Sequence, residues 1–319
     1  MRENLPRIVS LLPAATEIVC ALGAAAGLVG VSHECDFPDA VRGLLVLTTS
    51  RVGNDSSSAA IDAAVRALVH DALSIYSVDE ARLAALAPDL ILTQDLCQVC
   101  AVSLDDVRSA VARLAHREDV QIVSLRPTLL DDVWRDVETV ATALGRAERG
   151  RALRKELETR IQRIAERASG ASSRPRVASV EWLEPLMLGG TWMPELIELA
   201  GGEPLGAGAG QPAPTVSSAE LARMKPDVVV VKPCGFDLER TLRERELVER
   251  AVLTSIAPAC RVYASDGNAF FNRPGPRLVE SLEILAACIQ PELFQDFALK
   301  HRGVLVPLAA RGYFRPVNV

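Results

Sequence analysis

The chain has 319 residues, of which 49% are hydrophobic and 24% charged. That is enough apolar material for two domains with buried cores, and the balance is that of a globular protein. A net charge of −6, with no block of Lys or Arg, excludes a nucleic-acid surface built on basic patches.

Ile8 to Val31 is largely apolar, but Pro13 breaks the run and Glu17 interrupts it. A secretory leader needs a basic start, a clean apolar stretch and a small-residue cleavage site, which Arg2, Glu3 and Arg7 do not introduce. A strand over Arg7 to Leu11 and a helix to Gly23, with Pro13 in its first turn, account for the segment better. The expectation is a cytoplasmic protein that is not embedded in a membrane, or a periplasmic one if a leader has been removed. In a reducing compartment seven cysteines, an odd number, fit thiols or metal ligands better than a disulfide framework.

Leu28 to Val31 reads as a second strand, running into His33-Glu34-Cys35. Helical patterns follow over Ile61 to Leu73 and Val78 to Leu86, then a strand over Leu90 to Thr93 ending shortly before Cys97. A helix over Asp105 to Leu114 and a strand over Val120 to Leu125 complete the first half. Strands alternating with helices indicate a parallel sheet. From Leu129 to Ala168 there is no strand signal. Thr128 can cap a first helix, and Leu153, Leu157, Ile161 and Ile164 place one apolar stripe on a second, charged helix of a kind that bridges domains.

The alternation restarts with a strand over Arg176 to Val180, a helix over Met193 to Leu199 and a strand over Val228 to Val231. A helix over Leu238 to Val252, a strand over Arg261 to Ala264 and a helix over Pro276 to Cys288 follow. The two halves also share sequence. Leu83-Ala84-Ala85-Leu86-Ala87-Pro88-Asp89-Leu90-Ile91-Leu92 parallels Leu221-Ala222-Arg223-Met224-Lys225-Pro226-Asp227-Val228-Val229-Val230, each a helix end, a Pro-Asp turn and a buried strand. The organisation expected is an α/β fold of two Rossmann-like lobes, residues 1–128 and 171–319, joined by long helices over 129–170.

Four cysteines fall in loops that follow apolar strand-like runs: Cys35, Cys97, Cys100 and Cys234. Ligands bind beyond the carboxyl ends of strands in open parallel sheets, so two lobes facing one another would bring these loops to one cleft. Four thiolates suit an iron–sulfur cluster or tetrahedral zinc, and Cys97-x-x-Cys100 lets two sulfurs face one metal. Ligands drawn from both lobes favour a permanently held iron–sulfur cluster over a local zinc knuckle. Two other readings stay open: buried cysteine as a small hydrophobe, which suits Cys20, Cys260 and Cys288, and a thiol redox enzyme or sensor using Cys97 and Cys100.

Trp182, Trp192, Phe270 and Phe271 also lie in loops expected to reach the cleft, where flat apolar walls would suit a planar ligand or would simply fill the core. His33 can ligate a metal or remain a polar surface group. Arg273 can pair with an anionic group of a ligand or with a carboxylate of the protein, and Asp95 and Asp266 are outer partners or caps. Gly-x-Ser-x-Gly, the P-loop pattern and His-Glu-x-x-His are all absent, which points away from hydrolytic catalysis.

Pro6 to Glu17 resembles the opening of the class III solute-binding proteins, which serve iron-siderophore, haem and cobalamin importers. Leu86 to Leu92 resembles a second signature of that family. Asp266-Gly267-Asn268-Ala269-Phe270-Phe271-Asn272-Arg273-Pro274-Gly275-Pro276-Arg277 resembles a late loop of its cobalamin-binding branch. The resemblance implies two α/β lobes joined by one long helix, a small-molecule ligand such as a corrinoid (cobalamin or cobinamide), no catalysis, and an ABC permease as partner. Combined with the cysteines, it leads to the expectation of a non-enzymatic protein holding a metal-containing cofactor, with corrinoid uptake or handling as the alternative.

Overall fold

The computed structural model describes residues 5–52, 57–70, 76–94 and 120–308. They divide into two compact units, one built mainly from residues up to Leu157 and the other mainly from Glu158 onward. Both are α/β.

In the first unit, β1 (Ile8–Ser10) is buried on both faces, as expected of a central parallel strand, with Ile8 and Val9 apolar and the buried Ser10 hydroxyl hydrogen-bonded to Leu12 O at 3.1 Å. α1 (Pro13–Ala21) begins with Pro13 in its first turn and is stopped at Gly23, whose φ of +73° favours glycine. β2 (Leu28–Val31) and β3 (Leu45–Val46) follow, then β4 (Thr48–Ser50), α2 (Ser58–His70), β5 (Tyr76–Val78), α3 (Glu80–Leu86), β6 (Leu90–Gln94) and β7 (Gln121–Leu125). The sheet runs in the order β3-β2-β1-β6-β7, all parallel, while β4 and β5 form a separate antiparallel ribbon. The sequence pattern extends a helix back to Val78, but that residue closes β5. Asp79 then caps α3 by accepting a hydrogen bond from the Arg82 amide at 2.9 Å, so the helix starts one turn signal later than its apolar periodicity suggests. The helix expected over Asp105 to Leu114 lies outside the described residues.

α4 (Leu130–Ala143) and α5 (Ala147–Ala168) follow with no intervening strand. α5 has 22 residues, and its stripe of Leu153, Leu157, Ile161 and Ile164 is buried while the intervening charges are largely exposed. It starts within the first unit and ends within the second.

The second unit is built on β8 (Arg176–Leu183), β9 (Leu186–Leu188), β10 (Glu203–Pro204), β11 (Val228–Val231), β12 (Arg261–Ser265) and β13 (Leu305–Leu308), with the main path β10-β8-β11-β12-β13. β8, β10, β11 and β12 are parallel, whereas β9 and β13 add antiparallel. β13 escapes sequence reading because it carries Pro307. As an edge strand it can spare one amide. The helices are α6 (Met193–Leu199), α7 (Ser218–Arg223), α8 (Leu238–Arg243), α9 (Arg245–Val248), α10 (Leu278–Ile289) and α11 (Gln295–Lys300). The single helix expected over Leu238 to Val252 is broken into α8, α9 and a π turn at Glu249–Leu253. Ala251, Val252 and Leu253 are consecutive and all buried, and a wider turn presents three neighbours to one core better than a 3.6-residue stripe does.

The internal repeat extends to individual hydrogen bonds. Ala87 and Lys225, equivalent in the repeat, both take left-handed backbone, at φ of 43° and 48°. Asp89 Oδ2 accepts from the Arg7 amide at 2.8 Å, and Asp227 Oδ2 accepts from the Arg176 amide at 2.8 Å. In each unit the turn carboxylate therefore fixes the start of the neighbouring central strand.

Candidate functional site

In the first unit, the carboxyl ends of β1 and β2 carry a compact polar group. The Ser32 amide donates to Ser10 O at 2.9 Å, which pins the loop after β2 to the end of β1. The Thr16 hydroxyl lies 2.8 Å from Ser10 Oγ and 3.1 Å from Cys35 Sγ. Cys35 is buried at 6% exposure beneath this hydroxyl. His33 and Glu34 are half-buried. The Thr48 hydroxyl donates to Ser32 Oγ at 3.0 Å and lies 2.7 Å from His33 Nδ1. Tyr76 packs edge-on against the His33 ring with centroids 5.0 Å apart, and its hydroxyl donates to Glu34 Oε1 at 2.7 Å. Burial holds the His33 imidazole below its ordinary pKa, although the Glu34 carboxylate pulls the other way.

In the second unit, the ends of β8, β11 and β12 meet around Lys232. This side chain is fully buried directly after the four valines of β11. Its Nζ lies 3.3 Å from Glu181 Oε2 and 3.1 Å from Asn272 Oδ1, with the Phe271 ring centroid 5.8 Å away. Asn272 in turn donates to Gly267 O at 2.8 Å. The late loop is thus tied to the strand ends by a charge that has no access to water.

The aromatic residues divide into two groups. Trp192 and Phe271 are buried, and Trp192 Nε1 donates to Phe271 O at 2.8 Å, so both belong to the framework of the late loop. Phe271 holds a φ of 67°, a left-handed value that is costly for an aromatic residue, and its amide donates to Ser281 Oγ at 2.9 Å. Trp182 and Phe270 are half-exposed. Trp182 packs against Phe236 with centroids 5.3 Å apart, while the Arg240 guanidinium lies 5.0 Å from the Phe236 ring. The Arg277 guanidinium lies 5.5 Å from the Phe270 ring. Arg273 is buried and donates to Asn268 Oδ1 at 3.0 Å, so it organises the late loop from within. Asp266 accepts from the amides of Asn268 and Ala269 at 3.0 and 2.7 Å. Burial nevertheless keeps its carboxyl above the usual range.

Close approach at Gly267 completes this loop. A Cβ there would stand 2.1 Å from Pro233 O and 2.5 Å from Lys232 O, both backbone atoms. Gly267→Ala is expected to lower the urea midpoint by an amount equivalent to about 3 kcal/mol with an unchanged m-value, because main chain rather than a flexible side chain must move. A midpoint within error of wild type would show that the loop can detach from the β11 end without penalty.

Cys234 is exposed at a turn in the second unit, whereas Cys35 is buried in the first. Cys97, Cys100 and Asp95 lie outside the described residues. Among the described residues no group of three or more His, Cys, Asp or Glu side chains is arranged to hold a metal ion. The four-cysteine iron–sulfur or zinc site therefore has no support here, and Cys35 is packed as a small buried side chain hydrogen-bonded through sulfur. Cys20, Cys260 and Cys288 are in the surroundings expected of inert thiols. Burial pushes Cys20 and Cys260 up to about 11 and raises Cys288 further.

Sequence reasoning missed Lys232, Glu181, Asn272, Thr48 and Tyr76. A lysine immediately after four valines was the available signal for the first of these. The other four are ordinary polar residues whose importance comes from what folds against them.

Among the described residues no helix is long and apolar enough to cross a membrane. A vitamin B12-binding protein from Yersinia pestis (strain Pestoides F) is 24% identical over 235 residues, covering 70% of this chain and 69% of that protein. In fold, the chain matches a periplasmic heme binding protein from Pseudomonas aeruginosa with a TM-score of 0.68 at 20% identity, over 90% of this chain and 93% of that one. It also matches the periplasmic vitamin B12 binding protein BtuF of Vibrio cholerae with a TM-score of 0.63 at 20% identity, over 90% and 97% of the two chains. These likenesses establish the two-lobed α/β fold of solute-binding proteins and lend nothing to the cytoplasmic placement expected from the N-terminal sequence. The periplasmic binding protein pattern matches residues 8–262, most of the sequence, and the chain belongs to that family.

Proposed function

We propose that the chain is the ligand-binding component of an ABC-type importer, acting in the periplasm, and that its ligand is a corrinoid such as cobalamin or cobinamide, which it carries without chemical change. The observation that supports this reading most is the relation to vitamin B12-binding proteins over 70% of the chain. The late loop Asp266 to Arg277 is consistent with it. That loop is held rigidly by Lys232, Trp192 and Arg273 while Phe270 stays part-exposed, and a preorganised loop spends less of its interaction energy on ordering when a ligand arrives. Trp182 and Phe270 are the aromatic faces assigned to the ligand, and the metal at the centre of the corrinoid is cargo rather than a resident cofactor. No observation favours a cluster on Cys35, Cys97, Cys100 and Cys234, or redox chemistry at Cys97 and Cys100.

Titration with cyanocobalamin, cobinamide and hemin, followed by quenching of tryptophan fluorescence, tests this reading. Corrinoid binding with a dissociation constant of about 1 μM or tighter is expected. Absence of quenching by both corrinoids, or iron and sulfide in stoichiometric amounts in protein purified without oxygen, would overturn it.

A further inference from the structure

His33 stands at the carboxyl end of β2, where parallel sheets present ligand-binding groups. Its proton arrangement follows from its neighbour. Thr48 Oγ1 has one proton and two lone pairs. The proton goes to Ser32 Oγ at 3.0 Å, and one lone pair receives the His33 amide at 3.0 Å. The second lone pair faces His33 Nδ1 at 2.7 Å, so Nδ1 must carry the proton and donate. A neutral imidazole protonated at Nδ1 has its free lone pair on Nε2. Nε2 has no hydrogen-bond partner among the described residues.

The ring is also held in place. Its own amide and Nδ1 both bond the same hydroxyl, Thr48 is 2% exposed, and Tyr76 stands edge-on against the ring while anchored to Glu34. A hydroxyl that fixes the tautomer and a ring that fixes the plane are the outer restraints found behind metal-ligating histidines. Burial lowers the imidazole's pKa and so favours the neutral form, in which Nε2 can donate a lone pair. A histidine that served only as a surface polar group would have no need of an interior threonine committed to one of its nitrogens.

We propose that His33 Nε2 is an axial ligand to the metal ion at the centre of the bound corrinoid, with Thr48 as the residue that positions it. This rests on the corrinoid reading above and adds to it a bond between protein and cargo. No electron transfer is involved: Nε2 replaces a water on the metal, and the water leaves to solvent.

Diaquocobinamide is the informative probe, because it brings no nitrogenous base of its own and its axial waters exchange. The loaded protein is reduced to the cobalt(II) state and its electron paramagnetic resonance spectrum recorded. The expected spectrum shows each high-field cobalt line split into a triplet by one nitrogen. His33→Ala is expected to bind cobinamide at least about tenfold more weakly and, when loaded with an excess of cobinamide, to give unsplit lines. Thr48→Val, which removes the acceptor for Nδ1–H, is expected to bind about tenfold more weakly, and Thr48→Ser to recover. Nitrogen-15 NMR of the ligand-free protein supplies a second readout, with His33 protonated at Nδ1. Unsplit lines in loaded wild type, splitting that survives in His33→Ala, or protonation at Nε2 in the free protein would each overturn the proposal while leaving corrinoid carriage intact. Failure of wild type to bind any corrinoid would overturn the carrier reading and this inference with it.

Discussion

Lys232→Met is expected to destabilise the second unit by about 3 kcal/mol, the low end of the range for removing one partner of a buried ion pair. The methionine nearly preserves side-chain volume, so the loss is electrostatic rather than a cavity. Glu181 would keep its charge beside a thioether, and Asn272 Oδ1 would lose the ammonium at 3.1 Å. Water reaches Glu181 in part, since its side chain is 23% exposed, which keeps the effect from the upper end of the range. For a unit of this size a loss of that magnitude lowers the melting temperature by about 6–12 °C. Tryptophan emission should also shift to the red. The Lys232–Asn272 contact holds the loop whose Phe271 carbonyl accepts from Trp192, and loosening one wets the other. Adding Glu181→Gln removes the stranded charge and should return a substantial part of the stability. A single variant that melts with wild type, or a double variant worse than the sum of its parts, would refute the assignment of Lys232 as the electrostatic anchor of the late loop.

The second large effect is an acid transition centred on Glu283. Burial by itself would push this carboxyl up, but hydrogen bonds from His301, Lys300 and Arg160 outweigh it and hold the carboxyl at about 2. The distances are 2.8 Å to His301 Nε2, 2.6 Å to Lys300 Nζ and 3.1 Å to Arg160 Nη2, and Glu283 is 5% exposed. Arg160 reaches from α5, whereas Lys300 and His301 come from the end of α11, so one carboxylate ties three segments of the second unit. Because its pKa is depressed in the folded state, the carboxylate adds stability above its unfolded pKa, near 4.5, and that stability is lost as pH falls toward 2. The shift corresponds to about 3 kcal/mol. Urea unfolding of wild type between pH 6 and about 2 should show this loss. Glu283→Gln should start about 3 kcal/mol lower at pH 7 and fall less steeply over the same interval. Parallel pH profiles for the two proteins would show that the cluster is decorative.

Much of the framework was legible in the chain. Short runs such as Ile8-Val9 and Val228 to Val231, β-branched and bounded by turn residues, read as central parallel strands buried on both faces. The stripe on α5 follows from helical geometry alone. The Pro-Asp turns of the repeat were legible as repeated sequence, whereas the bond each carboxylate makes to the amide at the start of the neighbouring central strand joins residues far apart in the chain. Pieces whose form is set by partners were not legible. β13 is a strand because β12 offers an open edge, and the π turn exists because three adjacent residues share one core.

The site divides along the same line. Residue type and loop position singled out the four loop cysteines, His33, the aromatics and Arg273, and put the cysteines foremost. Position after a strand says that a side chain is near the ligand-binding edge; it does not say which way the side chain turns or what already occupies its polar atoms. By itself the sequence determined the two-lobed α/β architecture, its internal repeat and the loops that carry the candidate site, because those depend on hydrophobic periodicity, turn residues and repeated sequence. Only the tertiary structure decided that Cys35 is buried in the first unit and Trp192, Phe271 and Arg273 in the second, that Lys232 is buried as the anchor of the late loop, and that Thr48 leaves His33 with one unshared nitrogen lone pair. Burial and proton sharing are properties of the neighbours a residue acquires on folding, and those neighbours come from distant parts of the chain.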